Sequence, residues 1–139
     1  MPVYLIDTDI LTHFQHEHPQ VRAAISVRAQ DTICICTVTV EEQLSGWSAT
    51  ARTAKNHPEH ERAARLLSSL IHSWCRFSLV TYTAPAMVRF EQLLKAKLNV
   101  GRYDLRIAAI ALELGATVVT RNRRDFIRVP GLPIEDWSA

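Results

Sequence analysis

The sequence predicts an α/β fold with a mainly parallel central sheet. Short runs rich in β-branched residues alternate with longer segments whose apolar residues recur at helical spacing, which is typical of βαβ units. The first run, from Val3 to Ile6, is apolar without interruption, as expected of a strand that is buried on both faces. Because 139 residues fit one domain, we predict a single domain over residues 1–139.

The other elements follow in order along the chain. The spacing of apolar residues predicts a helix that carries Ile10, Leu11 and Phe14, and further helices from Pro19 to about Ala29, from Pro58 to Trp74, from Ala84 to Leu98 and from Leu105 to Leu114. Three more runs predict strands at residues 32–36, 77–82 and 116–120, with a final edge strand at residues 132–134. Residues 48–57 are compatible with a helix or a mobile excursion, and residues 121–126 with a turn or a short helix.

Charge and composition limit which functional classes the sequence can belong to. The formal net charge of +2 is too small to argue for nucleic acid binding by itself. Residues 89–128 are rich in arginine and lysine, and such a region either attracts a polyanion or forms a solvated helix surface. We find no signal peptide, no run of about 20 apolar residues and no glycine-rich nucleotide motif, so we expect a cytoplasmic protein without a membrane span.

Polar residues follow the carboxyl ends of the predicted strands, where parallel sheets collect ligands. The first strand is followed by Asp7 and Asp9, the second by Glu42, and the fourth by Asn122 and Asp125, while Asp104 begins the helix before the fourth strand. Each residue also has a purely structural explanation. The aspartates and Asn122 could cap helices or turns, and Glu42 could complete a capping box with Thr39.

Three carboxylates that share a cleft require a cation. Two unit charges about 4 Å apart repel by about 4 kcal/mol at an effective dielectric constant of 20. A hard divalent ion removes this repulsion, and Mg²⁺ or Mn²⁺ suits ligands that are all oxygen. Such a site also suits hydrolysis of a phosphodiester, because the ion neutralises charge on the phosphate oxygens.

At these positions the sequence resembles the PIN-domain family, in particular its VapC-like toxin branch. Four blocks carry the resemblance in family order, namely LIDTDIL at residues 5–11, TVTVEEQLSG at 37–46, DLRIAA at 104–109 and VVTRNRRDF at 118–126. The family's acid lies four residues before the glycine of the second block, which selects Glu42 over Glu41. Residues 47–83 match only in general helical character.

The resemblance implies roles for these residues. It implies that Asp7, Glu42 and Asp104 are the catalytic acids and the ligands of Mg²⁺ or Mn²⁺. It implies supporting roles at Thr8, Asp9, Thr120, Asn122 and Asp125. Many relatives carry aspartate where this chain has the neutral Asn122, which implies a weaker site for a second metal. Asp125 either supplies the missing charge or only positions the turn.

The resemblance further implies a fold, an activity and partners. The fold is a three-layer α/β/α sandwich, and the activity is cleavage of RNA by metal-activated water, which leaves a 5′-phosphate and a 3′-hydroxyl. The partners are an RNA substrate, a small VapB-like antitoxin and a second copy of the chain in a homodimer. Basic residues near the motifs are candidate contacts to phosphates or to an acidic antitoxin tail: Arg102, Arg106, Arg121, Arg123 and Arg124.

Two other functions compete with the toxin ribonuclease. The Asp7-Thr8-Asp9 segment fits the start of a haloacid-dehalogenase-type phosphatase, but the expected lysine and acid pair are missing near Arg121. The neutral Asn122 instead motivates a PIN-like module that binds RNA or protein without cutting. Loss of RNA cleavage on addition of EDTA, or in Asp7→Asn, would distinguish the enzyme from the binding module.

Overall fold

A five-stranded sheet forms the centre of the molecule. The computed structural model describes residues 2–139, and its strands are β1 (Val3–Ile6), β2 (Thr32–Cys36), β3 (Ser78–Val80), β4 (Thr117–Val119) and β5 (Ile134–Glu135). Their order is β3-β2-β1-β4-β5, and every neighbouring pair is parallel. The predicted α/β class is therefore confirmed, and the sheet is more regular than the mainly parallel sheet that we predicted.

Helices connect the strands. They are α1 (Thr8–Gln15), α2 (Pro19–Ser26), α3 (Thr37–Ala51), α4 (His57–Trp74), α5 (Ala84–Lys95), α6 (Arg102–Leu114) and α7 (Arg123–Phe126). Gly115 ends α6 in a left-handed conformation with φ of 69°, which a residue without a Cβ adopts at little cost. No helix within residues 2–139 is long and apolar enough to cross a bilayer.

Alternate residues of the central strands face opposite layers. Leu5 packs in a cluster with α5 and α6, whereas the next residue, Ile6, packs in a second cluster with α1 and α2. In the same way, Val118 packs in the first cluster and Val119 in the second. Because successive side chains of a strand point to opposite faces, these strands bury both faces. The three-layer α/β/α sandwich implied by the family resemblance is thus present.

The start of α3 corrects one prediction. The helix begins at Thr37, with Cys36 at the N-cap and no side-chain cap. Thr39 is therefore inside the helix and fully buried, so it forms no capping box with Glu42. Glu42 lies in the second turn rather than the first. The helix continues to Ala51, so the first four residues of the ambiguous polar segment are helical.

The strand order creates a crevice beside β1. Strand β2 lies on one side of β1 in the sheet, and β4 lies on the other side, so the chain changes direction across the sheet at β1. A parallel sheet binds ligands at such a switch point, outside the carboxyl ends of its strands. Asp7 follows β1 at this point, and its backbone N–H donates to the Val119 carbonyl oxygen of β4 at 3.0 Å.

Candidate active site

Asp7 is a buried carboxylate at the start of α1. It is the N-cap of the helix, and its Oδ1 accepts a hydrogen bond from the Ile10 N–H at 2.9 Å. Only 4% of Asp7 is exposed, and burial raises its pKa from 3.8 to about 7, although hydrogen bonds from Thr120 and Ile10 oppose the shift. The charges of Asp9 and Asp104 raise the pKa further. Asp7 therefore caps its helix and also faces other acids.

Asp104 lies in the first turn of α6, whose N-cap is Gly101. Its Oδ2 accepts a hydrogen bond from Asn122 Nδ2 at 3.3 Å. Burial raises the pKa of Asp104, and the bond from Asn122 lowers it. The charge of Glu42 raises this pKa as well, so the acid of α3 lies near the acid of α6. The structure thus brings together three acids from distant parts of the chain.

These three acids have no cationic side chain beside them. None of the ion pairs formed within residues 2–139 includes Asp7, Glu42 or Asp104. Buried carboxylates without a cation repel one another and favour protonation. The oxygen donor set suits Mg²⁺ or Mn²⁺.

The positions of the acidic side chains limit how many of them can bind a metal ion directly. In the described part of the chain, no three histidine, cysteine, aspartate or glutamate side chains are arranged as a ready metal site. Mg²⁺ usually keeps several waters and binds through one or two carboxylates. The donor chemistry therefore fits such an ion, provided that waters complete its coordination.

Thr8 connects the first acid to the helix that carries the second. Its hydroxyl donates to the Thr39 hydroxyl at 3.2 Å, and Thr39 also lies 3.7 Å from the Cys36 thiol. Thr39 is fully buried. Sequence reasoning missed this role because we interpreted Thr39 as a cap.

Asp9 is on the exposed side of the site. Its charge raises the pKa of both Asp7 and Asp104. Its carboxylate lies 3.6 Å from His13 Nδ1. Asp9 therefore adds to the negative potential of the site.

The residues after β4 form the other wall. Thr120 is fully buried, and its hydroxyl bonds Asp7 and accepts from the Asn122 N–H at 2.8 Å. The Asn122 side chain does not cap α7 but donates from Nδ2 to Asp125 Oδ2 at 2.9 Å. All five supporting residues predicted from the sequence therefore lie around the acids or contact a residue that does.

The predicted basic residues differ in their surroundings. Arg102, Arg121, Arg123 and Arg124 are exposed. Arg121 Nη1 donates to His13 Nε2 at 2.7 Å. Arg106 is half-buried, with its guanidinium 5.3 Å from the Phe90 ring centre and 5.7 Å from that of Tyr103. Arg106 is therefore engaged in packing α5 against α6, whereas the exposed arginines are free of such stacking.

A polar network that the sequence did not reveal fixes α3. The side-chain amides of Gln15 and Gln43 bond each other at 2.9 and 2.8 Å. Gln15 also donates to Ser73, and the Trp74 indole donates to Gln43 at 2.8 Å. The network joins α1, α3 and α4 beside Glu42. No sequence pattern that we interpreted indicates this network.

Comparisons with known proteins identify the family of the chain. Residues 4–132 match the sequence profile of the PIN domain. Ribonuclease VapC2 of Rickettsia felis is 27% identical over 98% of both chains. The tRNA(fMet)-specific endonuclease VapC of Shigella flexneri is 30% identical over 97% of this chain and 98% of its own.

Solved structures show the same architecture. VapBC2 from Rickettsia felis, bound to a DNA fragment from its promoter, superimposes with a TM-score of 0.77 and 25% identity, over 97% of this chain and 98% of the other. DNA-bound VapBC from Salmonella typhimurium gives a TM-score of 0.75 and 26% identity, over 99% of both chains. The fold of these proteins therefore extends over nearly the whole chain.

Proposed function

Because the chain belongs to the PIN domain family, we propose that it is a metal-dependent endoribonuclease and the toxin of a type II toxin–antitoxin pair. One observation carries the proposal. Asp7, Glu42 and Asp104, from three separate segments, lie near the sheet's switch point, and no ion pair formed within residues 2–139 involves them. The names of the curated relatives support ribonuclease activity.

Mg²⁺ or Mn²⁺ would bind to Asp7, Glu42 and Asp104, directly or through water. A divalent cation supplies positive charge for the phosphate oxygens and acidifies water for attack. The protein's own contribution is to hold the carboxylates in place. Ile10 and Thr120 hold Asp7, and Asn122 holds Asp104.

The Glu42 carboxylate would take the proton that the attacking water loses. Among residues 2–139 we find no hydrogen bond or ion pair to its carboxylate, and the side chain is half-buried. In the proposed reaction, the oxygen of water bonds to phosphorus as the bond from phosphorus to the 3′ oxygen breaks. The departing 3′ oxygen takes up a proton, so the products carry a 5′-phosphate and a 3′-hydroxyl.

Exposed arginines would bind the RNA backbone. Arg121 and Arg123 flank Asn122, which contacts Asp104, so they lie at the rim of the acid cluster. Arginine is well suited to phosphate, because its planar guanidinium donates two parallel hydrogen bonds. Arg102 and Arg124 extend this basic rim, and Arg106 contributes its charge from within the α5–α6 packing.

A groove between α1, α2 and α4 would receive the antitoxin. Helix α4 has an apolar stripe but no fully buried residue, and Leu66 and Ile71 are 47% and 46% exposed. Phe14, Leu66 and Leu70 line the groove, with Arg22 and Arg76 beside them. These features favour a partner segment with apolar side chains and acidic neighbours. The similar solved structures are VapBC toxin–antitoxin complexes, which supports an antitoxin partner.

A second copy of the chain would cover another apolar surface. Leu79 on the edge strand β3 and Leu114 at the end of α6 are 58% and 40% exposed, and they line one shallow cavity. Exposed leucines grouped in this way are typical of an interface. We therefore propose a homodimer, and a cytoplasmic location where RNA is available.

The family assignment removes one competing function and leaves the other testable. The PIN-domain match over residues 4–132 replaces the haloacid-dehalogenase-type phosphatase. The neutral Asn122 still motivates the alternative of a PIN-like module that binds RNA or protein without cutting, because the family resemblance implies an acid at this position in many relatives.

The deciding experiment is cleavage mapping of cellular RNA after brief expression. Wild type should cut RNA at defined sites, and purified protein should lose this activity in EDTA. Asp104→Asn should not cut, while Asp31→Asn, at the opposite edge of the sheet, should cut like wild type. Wild-type protein that binds RNA but leaves it intact with Mg²⁺ or Mn²⁺ would establish the binding module instead.

A further inference from the structure

Asn122 contacts two carboxylates through one amide nitrogen. Its Nδ2 lies 3.3 Å from Asp104 Oδ2 and 2.9 Å from Asp125 Oδ2. An ionised carboxylate only accepts hydrogen bonds, so a reversed amide would place an oxygen against two anions. The chemistry of the two neighbours therefore sets the direction of the amide, with its N–H groups toward the acids.

Both carboxylate oxygens of Asp125 have partners within the protein. Its Oδ2 accepts from Asn122, and its Oδ1 lies 3.5 Å from Arg128 Nη1. Arg128 in turn donates to the Asn99 carbonyl oxygen at 2.8 Å, in the connection between α5 and α6. Asp125 therefore orients the Asn122 amide, and its negative charge also acts on Asp104.

The backbone of Asn122 joins the two halves of the acid cluster. Its N–H donates to the Thr120 hydroxyl at 2.8 Å, and Thr120 follows Val119, whose carbonyl oxygen accepts from the Asp7 N–H at 3.0 Å. Its side chain reaches Asp104. A single residue therefore holds the carboxylate of α6 in a fixed relation to the carboxylate after β1.

We propose that Asn122 is a positioning residue for the metal site: its amide, oriented by Asp125, holds the Asp104 carboxylate near Asp7 and Glu42. The inference rests on the proposed function. Side chains that orient metal ligands without touching the ion typically change metal affinity 10–100-fold. Asn122 thus positions Asp104 by donating a hydrogen bond, and as a neutral residue it adds no negative charge of its own to the site.

The test combines two measurements on Asn122→Ala. The first is calorimetric titration with Mn²⁺, and the second is the position of Asp104 in metal-free crystals. Asn56→Ala is the matched control, since Asn56 caps α4 through the Glu59 N–H at 3.0 Å, outside the acid cluster. Should Asn122→Ala not fold, Asn122→Ser gives the same comparison with a side chain too short to bridge both acids.

We expect Mn²⁺ to bind Asn122→Ala about tenfold more weakly than wild type. Asn56→Ala should bind like wild type, and the Asp104 side chain of Asn122→Ala should leave its wild-type position. Unchanged affinity, or an unmoved Asp104, would overturn the proposal. If wild type itself binds no Mn²⁺, the proposed function fails, while the position of Asp104 in the crystals still decides the role of Asn122.

Discussion

The Thr8 hydroxyl donates a hydrogen bond to the Thr39 hydroxyl at 3.2 Å, which joins the first turn of α1 to the first turn of α3. Asp7 precedes the first of these helices, and Glu42 lies on the second. A contact between two side chains thus fixes the spacing of two acids that are far apart in the sequence. Its removal should affect both stability and activity.

Thr39→Val should destabilise the protein and slow RNA cleavage. Valine preserves the shape of threonine but leaves the half-buried Thr8 hydroxyl without its partner, which costs about 1–3 kcal/mol. Urea unfolding and cleavage rates measure the two effects. Thr53→Val provides the control, because Thr53 is exposed and bonds only the Thr50 carbonyl oxygen. Equal stability of the two variants would contradict this account of Thr39.

Asp7 should make the metal-free protein less stable as the pH rises. Burial raises the pKa of Asp7 to about 7, above the value of 3.8 for an exposed group, so the folded state binds the proton more tightly. Stability therefore falls as the pH increases from about 4 to about 7.

Asp7→Asn should abolish this dependence and stabilise the metal-free protein. At pH 8 in EDTA we expect a gain of about 1–4 kcal/mol over wild type, with a smaller difference at pH 4. Urea unfolding at the two pH values measures it. A variant that is less stable than wild type at pH 8 would show that the Asp7 charge is already compensated.

Leu66→Arg should prevent antitoxin binding and leave RNA cleavage intact. The added charge would lie in the groove of α1, α2 and α4, where an apolar partner segment could not accommodate it. Co-purification with the antitoxin measures binding. Leu114→Arg changes a leucine of similar exposure on the other apolar surface, and it should retain the antitoxin while weakening the dimer. Retention of the antitoxin by Leu66→Arg would place its site elsewhere.

Arg121→Ala should weaken binding of a non-cleavable RNA and reduce its dependence on salt. Loss of one phosphate contact lowers the slope of log affinity against log salt concentration by about 0.7–0.9. Fluorescence anisotropy at several salt concentrations measures the slope in the Asp104→Asn background. Arg52→Ala, which removes an exposed arginine at the end of α3, should leave the slope unchanged. The same slope in both variants would show that Arg121 does not contact the RNA backbone.

Much of the fold follows from local patterns in the sequence. The uninterrupted apolar run of β1 and the helical spacing in α6 are properties of adjacent residues, and the structure has both elements where we predicted them. Ends were less accurate, because Leu98 lies beyond the end of α5 at Lys95. Fraying and capping at helix ends depend on small energy differences.

The prediction of the three acids has a different basis. Asp7, Glu42 and Asp104 occupy positions of family motifs, and parallel strands bring their carboxyl ends to one edge of the sheet. The partners of these acids were not predictable. Asn122 has two oxygen neighbours only because α6 and α7 pack against the same strand end.

The sequence by itself determined the α/β class and the order of the elements, because periodicity is contained in the chain, and its motifs predict the three acids. Only the tertiary structure decided that Thr39 is buried, that Asp125 serves Asn122, and that Gln15 pairs with Gln43. The burial of Thr39 and both of these side-chain hydrogen bonds depend on how whole helices pack. A short polar side chain has several possible partners, and packing selects among them.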